Sequence, residues 1–234
     1  MIPKTIHYCW FGKGPKSDLN VRCMESWRRI MPDYEIREWN ESNSPLRLPY
    51  ARAAYRKKIW SRVTNYVRFH ALHTEGGIYL DTDVEVLKPF DPLLHHECFM
   101  GFQVREEMAD WVNSAVTGSR PGHPFLKACM ERTTRLFAET GELPRSPTVV
   151  TMLLREMGLT TYGLQQVQGV TLYPREYFYP FSWTERFTPD CIQDATYCVH
   201  YWEVSWAKAV APPVPFRKRL KRLRRAVVRW LRGR

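Results

Sequence analysis

The 234-residue chain is expected to fold as a single α/β domain, a Rossmann-like sheet flanked by helices, followed by a basic amphipathic C-terminal helix. Three observations carry this. The N-terminal stretch reads strand, helix, strand, and a βαβ opening argues a parallel sheet. The segment GGIYLDTDVEVLKP, residues 76–89, starts with a Gly-Gly breaker and runs into a short continuous apolar stretch, the pattern of a strand buried on both faces. A composition of 44% hydrophobic and 14% aromatic residues is enough to build a core, which excludes a disordered body.

The elements follow in order. Residues 4–10 form a first strand with Ile6, Tyr8 and Trp10 on one face. A turn over 11–15 leads to a helix capped by Ser17 or Asp18 and running to about Met31, with Val21, Met24, Trp27 and Arg28 at helical spacing. Pro32-Asp33 stops it, and residues 34–39, YEIREW, form the second strand. Residues 51–73 are helical, with a break near Ser61. Ile78–Leu80 and Val84–Leu87 are short strands on either side of Asp81-Thr82-Asp83. Residues 97–104 form another strand, 124–139 and 148–157 helices, and 170–173 and 198–202 short strands. Pro212-Pro213-Val214-Pro215 is a stiff linker, which sets domain bounds at 1–211 and 212–234.

Charge divides the chain in the same place. Residues 216–234 hold ten basic residues and no acid, whereas the rest is nearly balanced, 25 basic against 24 acidic. Phe216, Leu220, Leu223, Val227, Trp230 and Leu231 recur every three or four positions in this tail, so it reads as a basic amphipathic helix suited to an anionic membrane surface. A nucleic-acid-binding arm is the rival reading, disfavoured because phosphates would leave the aliphatic stripe unused. No apolar run approaches a membrane span, and the N-terminus lacks the apolar core of a signal peptide. Six cysteines form neither a C-x-x-C pair nor a zinc spacing, so reduced, packed thiols are expected. The expected location is cytoplasmic, peripheral on the inner face of the cell membrane.

Asp81 and Asp83 carry the chemistry. Unpaired carboxylates are not placed inside a sheet, because removing them from water is costly. At the carboxyl end of a strand they can face the crevice where open α/β sheets bind ligands. Two such charges close together call for a cation, and Mg2+ or Mn2+ commonly joins carboxylates to substrate phosphates. A polar hairpin turn remains the alternative at this point.

The segment NYVRFHALHTEGGIYLDTDVEVLKPFDPL, residues 65–93, resembles the D-x-D sugar-binding block of glycosyltransferase family 32. IPKTIHYCWFG near the N-terminus, ESWRRIMPDYEIREWNESN and the later HYWEVSW resemble the same family, in order, over about residues 1–206. That family includes capsular-polysaccharide transferases, yeast α-mannosyltransferases and relatives of large glucosylating toxins. The resemblance implies a GT-A fold with a mixed sheet, a nucleotide-sugar donor, a divalent metal (Mn2+ or Mg2+) and retention of anomeric configuration. It implies that Trp10 stacks on the donor base. It implies that Asn65 and Arg68, three apart on one helix face, contact donor sugar and phosphate, with Asn65 standing where Asp is common. Tyr79 and Asp81 would contact the donor, and Asp83, His200 and Asp81 would hold the metal. Ser205 and Trp206 would hold the departing phosphate. Asn113, Ser114 and His123 would lie toward the transferred sugar and the acceptor, and Glu85 in the solvent or behind the metal ligands. The catalytic set is then Asp81, Asp83, Arg68 and Asn65.

The expected function is metal-dependent, retaining transfer of a hexose from a nucleotide sugar, UDP-linked ahead of GDP-linked, to a saccharide or lipid-linked saccharide in bacterial surface polysaccharide synthesis. The alternatives are a non-catalytic nucleotide-sugar module and a membrane- or RNA-binding protein acting through its tail.

Overall fold

The computed structural model describes residues 1–203, and residues 1–202 form one compact unit. The elements are β1 (Thr5–Cys9), α1 (Asp18–Ile30), β2 (Glu35–Trp39), α2 (Pro49–Arg56), α3 (Trp60–Glu75), β3 (Gly77–Leu80), β4 (Val84–Val86), β5 (Cys98–Phe102), β6 (Val112–Ser119), α4 (Pro124–Thr140), α5 (Ser146–Glu156), β7 (Gln165–Val167), β8 (Val170–Tyr173) and β9 (Cys198–His200). Seven strands form the main sheet in the order β2-β1-β3-β6-β5-β8-β7, and β4 and β9 make a separate two-stranded ribbon. β1 is parallel to β2 and β3, whereas β6 runs antiparallel to both β3 and β5, so the sheet is mixed.

Side chains alternate across this sheet, and each face has its own core. On one face Cys9, Tyr79, Met100, Phe102 and Leu172 pack with Val67, Leu72, Leu126, Val150 and Leu154 of α3, α4 and α5. On the other, Ile6, Tyr8, Ile78, Leu80 and Phe99 pack with Met24 and Trp27 of α1 and with Val84 and Val86 of β4. This is the two-sided burial that the apolar run of β3 predicts. Gly118 of β6 is required here, because a Cβ would overlap the Phe99 ring of the adjacent strand.

Local signals set the boundaries. Ser17 caps α1, its hydroxyl accepting from Asn20 N while Asn20 returns a bond to the Ser17 backbone. The face α1 buries is Asn20, Cys23, Met24, Ser26 and Trp27; Val21, expected inside, is 44% exposed. The helical stretch over 51–73 is two helices, separated at 57–59 rather than at Ser61. Gly76 and Gly77 end α3 at positive φ (68° and 105°), and a Cβ on Gly77 would strike Thr5 O.

β6 is not among the expected strands. All eight residues of β6 are buried, so WVNSAVTGS lacks the alternation of a half-buried strand, and Asn113, Ser114, Thr117 and Ser119 break the apolar run that marks a strand buried on both faces. β7 is also unforeseen; it is three residues long at the sheet edge. The linker and helix expected over 212–234, and Ser205 and Trp206, lie outside the described residues. Among the described residues no helix is long and apolar enough to cross a membrane.

Candidate active site and metal centre

β3 ends at Leu80, and the next amide, Asp81 N, still donates to Ala115 O of β6 (2.9 Å). The chain then leaves the sheet in a turn closed by Val84 N donating to Asp81 O (3.0 Å). The two aspartates therefore occupy the first and third positions of one turn, at the carboxyl end of β3.

Asp81 is partly exposed and its Oδ1 is held twice, by Tyr79 OH (2.9 Å) and Arg68 Nη2 (3.0 Å). Tyr79 and Asp81 lie on one strand face, as their spacing by two requires. Arg68 is 4% exposed. Its Nη1 donates to Ser114 Oγ (3.1 Å), Nη2 also to Thr64 Oγ1 (3.3 Å) and Nε to Thr64 O (3.3 Å), and the guanidinium lies 4.5 Å from the centre of the Tyr79 ring. Burial works against its charge, but Asp81 and Tyr79 outweigh this and push the guanidinium above its ordinary pKa.

Ser114 Oγ in turn lies 2.8 Å from Ser146 Oγ, the first residue of α5. The Asn65 amide is 2.9 Å from Ser146 Oγ. Turned with its nitrogen toward Ser61 O and Ser146 Oγ (2.9 Å each), it also accepts from Ser146 N (3.2 Å), and both of its ends are satisfied. Asn65, 5% exposed, thus stands behind Arg68 in a buried chain, Asn65–Ser146–Ser114–Arg68–Asp81.

Asp83 immediately precedes β4, and β4 pairs antiparallel with β9 so that Val84 faces His200. Tyr201 N donates to Asp83 O (3.0 Å), which ties the turn to the far strand. This register sets His200 Nε2 3.2 Å from Asp83 Oδ2, with the two residues 6% and 7% exposed. The Trp202 and Tyr179 rings pack on the imidazole at centroid distances of 4.2 and 5.9 Å. Burial disfavours a charged His200, but Asp83, with help from Asp81, prevails and raises its pKa.

One ligand atom from each of Asp81, Asp83 and His200 lies within 4.8 Å of the others. His200 Nδ1 is buried and has no hydrogen-bond partner among the described residues. Two carboxylates and an imidazole are a suitable donor set for Mn2+ or Mg2+, the imidazole being the better ligand for Mn2+. The residues present fit a divalent cation.

The remaining candidates separate. Trp10 follows β1 at the same end of the sheet; its indole N–H donates to Gly14 O (2.8 Å), and Lys16 Nζ lies 5.0 Å from its ring centre. Ser114 touches Arg68, but both ends of the Asn113 amide are engaged by protein: the nitrogen donates to Gln103 Oε1, just past β5, and the oxygen accepts from Ala115 N of its own strand (2.7 Å). His123 lies at the opposite end of β6, beyond Ser119, which pairs with Gly77 at the start of β3. There it caps α4, Nδ1 accepting from Phe125 N (3.2 Å). The sugar-facing placement expected for His123 is therefore not what the structure shows. Glu85 is partly exposed and accepts from Tyr201 OH (2.6 Å). Thr64 and Ser146 were not anticipated. Thr64 is signalled weakly by being one turn before Arg68; Ser146 has no sequence signal, because 78 positions separate it from Arg68 and only the packing of α5 on β6 joins them.

Residues 17–100 match the model of the glycosyltransferase sugar-binding region containing the DXD motif, and residues 118–213 that of the alpha 1,4-glycosyltransferase conserved region. The chain is similar to inositol phosphoceramide mannosyltransferase 3 of Schizosaccharomyces pombe, 31% identical over 130 residues, covering 53% of this chain and 35% of that protein. It is similar to lactosylceramide 4-alpha-galactosyltransferase of Mus musculus, 28% identical, covering 75% of this chain and 50% of that protein. The chain thus spans half or less of these relatives' lengths. Among solved structures, the PaToxG glycosyltransferase superposes with a TM-score of 0.54 at 18% identity, covering 67% of this chain and 70% of that one. The galactosyltransferase LgtC, solved with donor and acceptor sugar analogues, gives 0.51 at 15% identity, covering 85% and 87%. The chain has the GT-A glycosyltransferase fold.

Proposed function

We propose that the chain is a metal-dependent, retaining glycosyltransferase that moves a hexose from a nucleotide sugar to a hydroxyl of a saccharide carried on a lipid. The observation that carries this reading is the convergence of Asp81, Asp83 and His200 within 4.8 Å at the end of β3, inside the segment that matches a DXD sugar-binding region. Asp83, His200 and Asp81 would hold Mn2+ or Mg2+, which supplies positive charge to the donor diphosphate. Arg68 has most of its donors engaged, so its main work is to aim Asp81 and to keep a permanent positive charge under the site. Trp10, at the carboxyl end of β1, offers a flat apolar face for the base. Asn65 acts through Ser146 and Ser114 rather than by touching sugar.

The mannosyl- and galactosyltransferase relatives are named for ceramide-linked acceptors. They support a lipid-borne acceptor here, which is also compatible with surface polysaccharide assembly on a lipid carrier at the inner membrane face. The sugars in those names differ, so the hexose has to be found by assay, with UDP sugars tested first and GDP sugars second.

Calorimetric titration of UDP, GDP and their hexose derivatives, with and without Mn2+, tests the reading on wild type and Asp83→Asn. The expected result is Mn2+-dependent binding of one nucleotide by wild type and none by the variant. A folded wild-type protein that binds neither nucleotide would overturn the proposal.

A further inference from the structure

Charge in the globular body is distributed unevenly. From residue 42 to residue 74 there is no Asp or Glu, while Arg47, Arg52, Arg56, Lys57, Lys58, Arg62 and Arg68 supply seven positive charges. The other residues of 1–215 hold 18 basic and 24 acidic side chains, so a net negative body carries one strongly positive segment. Arg68 is used inside the site. Arg47, Arg52, Arg56, Lys57 and Lys58 are exposed, and none of the five makes an ion pair or a side-chain hydrogen bond among the described residues.

The cations are grouped by the short helix α2. Tyr50, Ala51 and Ala54 form its buried face, which turns Arg52 and Arg56 outward one turn apart. Like charges at that spacing repel, and no carboxylate relieves them. Lys57 and Lys58 continue the patch where the helix ends. Leu48, just before the helix between Pro45 and Pro49, is 37% exposed. The patch stands near the site: α2 follows the carboxyl end of β2, and Tyr50 OH donates to Pro144 O (3.0 Å), two residues before Ser146.

We propose that the α2 face is a docking surface for an anionic lipid bilayer. Exposed cations without partners answer to a dense plane of phosphates, and an exposed leucine at the rim has an interfacial depth to enter, which a phosphate backbone alone would not offer. Being part of the folded body, this surface fixes which end of the sheet meets the membrane. The binding itself stands independently of the transferase reading; its value for reaching a lipid-borne acceptor rests on that reading.

The test is partition of the full chain onto phosphatidylcholine vesicles with and without 30% phosphatidylglycerol, at lipid concentrations where half of the wild type is bound. Arg52→Gln/Arg56→Gln is compared with Lys127→Gln/Arg135→Gln, an equal charge change on the exposed surface of α4. At about fivefold per cation near the surface, the α2 pair is expected to lose at least tenfold on anionic vesicles, and the α4 pair less than twofold. Leu48→Ser is expected to weaken binding about threefold. All variants keep the nucleotide affinity of wild type in calorimetry, so failure of docking and failure of the nucleotide site are read separately. Equal losses for the two pairs, or no loss for the α2 pair, would overturn the proposal. Loss of single-stranded RNA binding by the α2 pair with vesicle binding intact would also overturn it and assign the patch to nucleic acid.

Discussion

Arg68 shows how one side chain is constrained by several others. Its fork reaches Asp81, Ser114 and Thr64 at once, a geometry that a lysine cannot reproduce. Arg68→Lys is expected to lower turnover about a hundredfold, the scale of removing one preorganised donor, and to cost about 1–3 kcal/mol of stability because buried partners of the fork lose their donors; steady-state kinetics and urea unfolding together check this. Asn65 is informative for the opposite reason. An aspartate is common at this place in the family the sequence resembles, yet here the residue is 5% exposed and its amide serves as both donor and acceptor. A carboxylate cannot donate to Ser61 O. Asn65→Asp is therefore expected to cost about 1–3 kcal/mol of stability, seen as a lower urea midpoint at pH 7.

At the scale of elements, the metal-ligand turn is held from outside the main sheet. β4 has β9 on one edge; on the other, Trp27 Nε1 donates to Val84 O (2.7 Å) and Ser26 Oγ accepts from Val86 N (2.8 Å). Side chains of α1 thus complete the hydrogen bonding of a three-residue strand that would otherwise expose an edge. Trp27→Phe keeps most of the ring volume but leaves Val84 O buried and unpaired. It is expected to lose about 1–3 kcal/mol and to weaken Mn2+-dependent nucleotide binding, because Asp83 is the residue next to that carbonyl. Calorimetry and chemical unfolding of this one variant measure both effects.

For the whole molecule, acid sensitivity follows from buried neutral histidines. His7 is fully buried in β1 between Gly76 O, 2.7 Å from its Nε2, and the Trp39 indole, which donates to Nδ1 (3.0 Å). These partners fix the Nε2–H tautomer and leave Nδ1 no room for a proton. Burial lowers its pKa below 6.5, against the weaker pull of Gly76 O and Glu75, and His70 is lowered by burial too. The unfolded chain binds these protons first. The contributions of His7 and His70 are then complete above pH 6.5 and fall as pH drops below 6.5 through the lower folded-state values, by at most about 1.4 kcal/mol per pH unit for each histidine, with the raised His200 acting in the opposite sense. Urea unfolding between pH 5 and 7.5 should show this rise with pH, and His7→Gln should flatten it.

The sequence by itself determined the βαβ opening, the buried β3 ending in two carboxylates, and a helix capped by Ser17 or Asp18, because each depends on neighbours within a few residues: an alternation of periods, an apolar run, a capping residue before an apolar-periodic stretch; the structure chose Ser17. HYWEVSW could be matched to DTD by resemblance, and the antiparallel β4–β9 register then supplied the distance that brings His200 to Asp83. What only the tertiary structure decided lies at long range. β6 shows neither alternation nor the continuous apolar run that marks β3, because Asn113, Ser114, Thr117 and Ser119 are buried among its apolar residues. His123 follows from the same strand: β6 carries the chain from the carboxyl end of β3 at Asn113 and Ser114 to the opposite end of the sheet before His123 is reached. Ser146 reaches Ser114 and Asn65 only because α5 packs across β6 and α3, and the unpaired cations of α2 become a surface only once Tyr50, Ala51 and Ala54 turn inward. Local order follows from the chemistry of adjacent residues; the site and its flanking surface depend on which distant segments the two-sided core draws together.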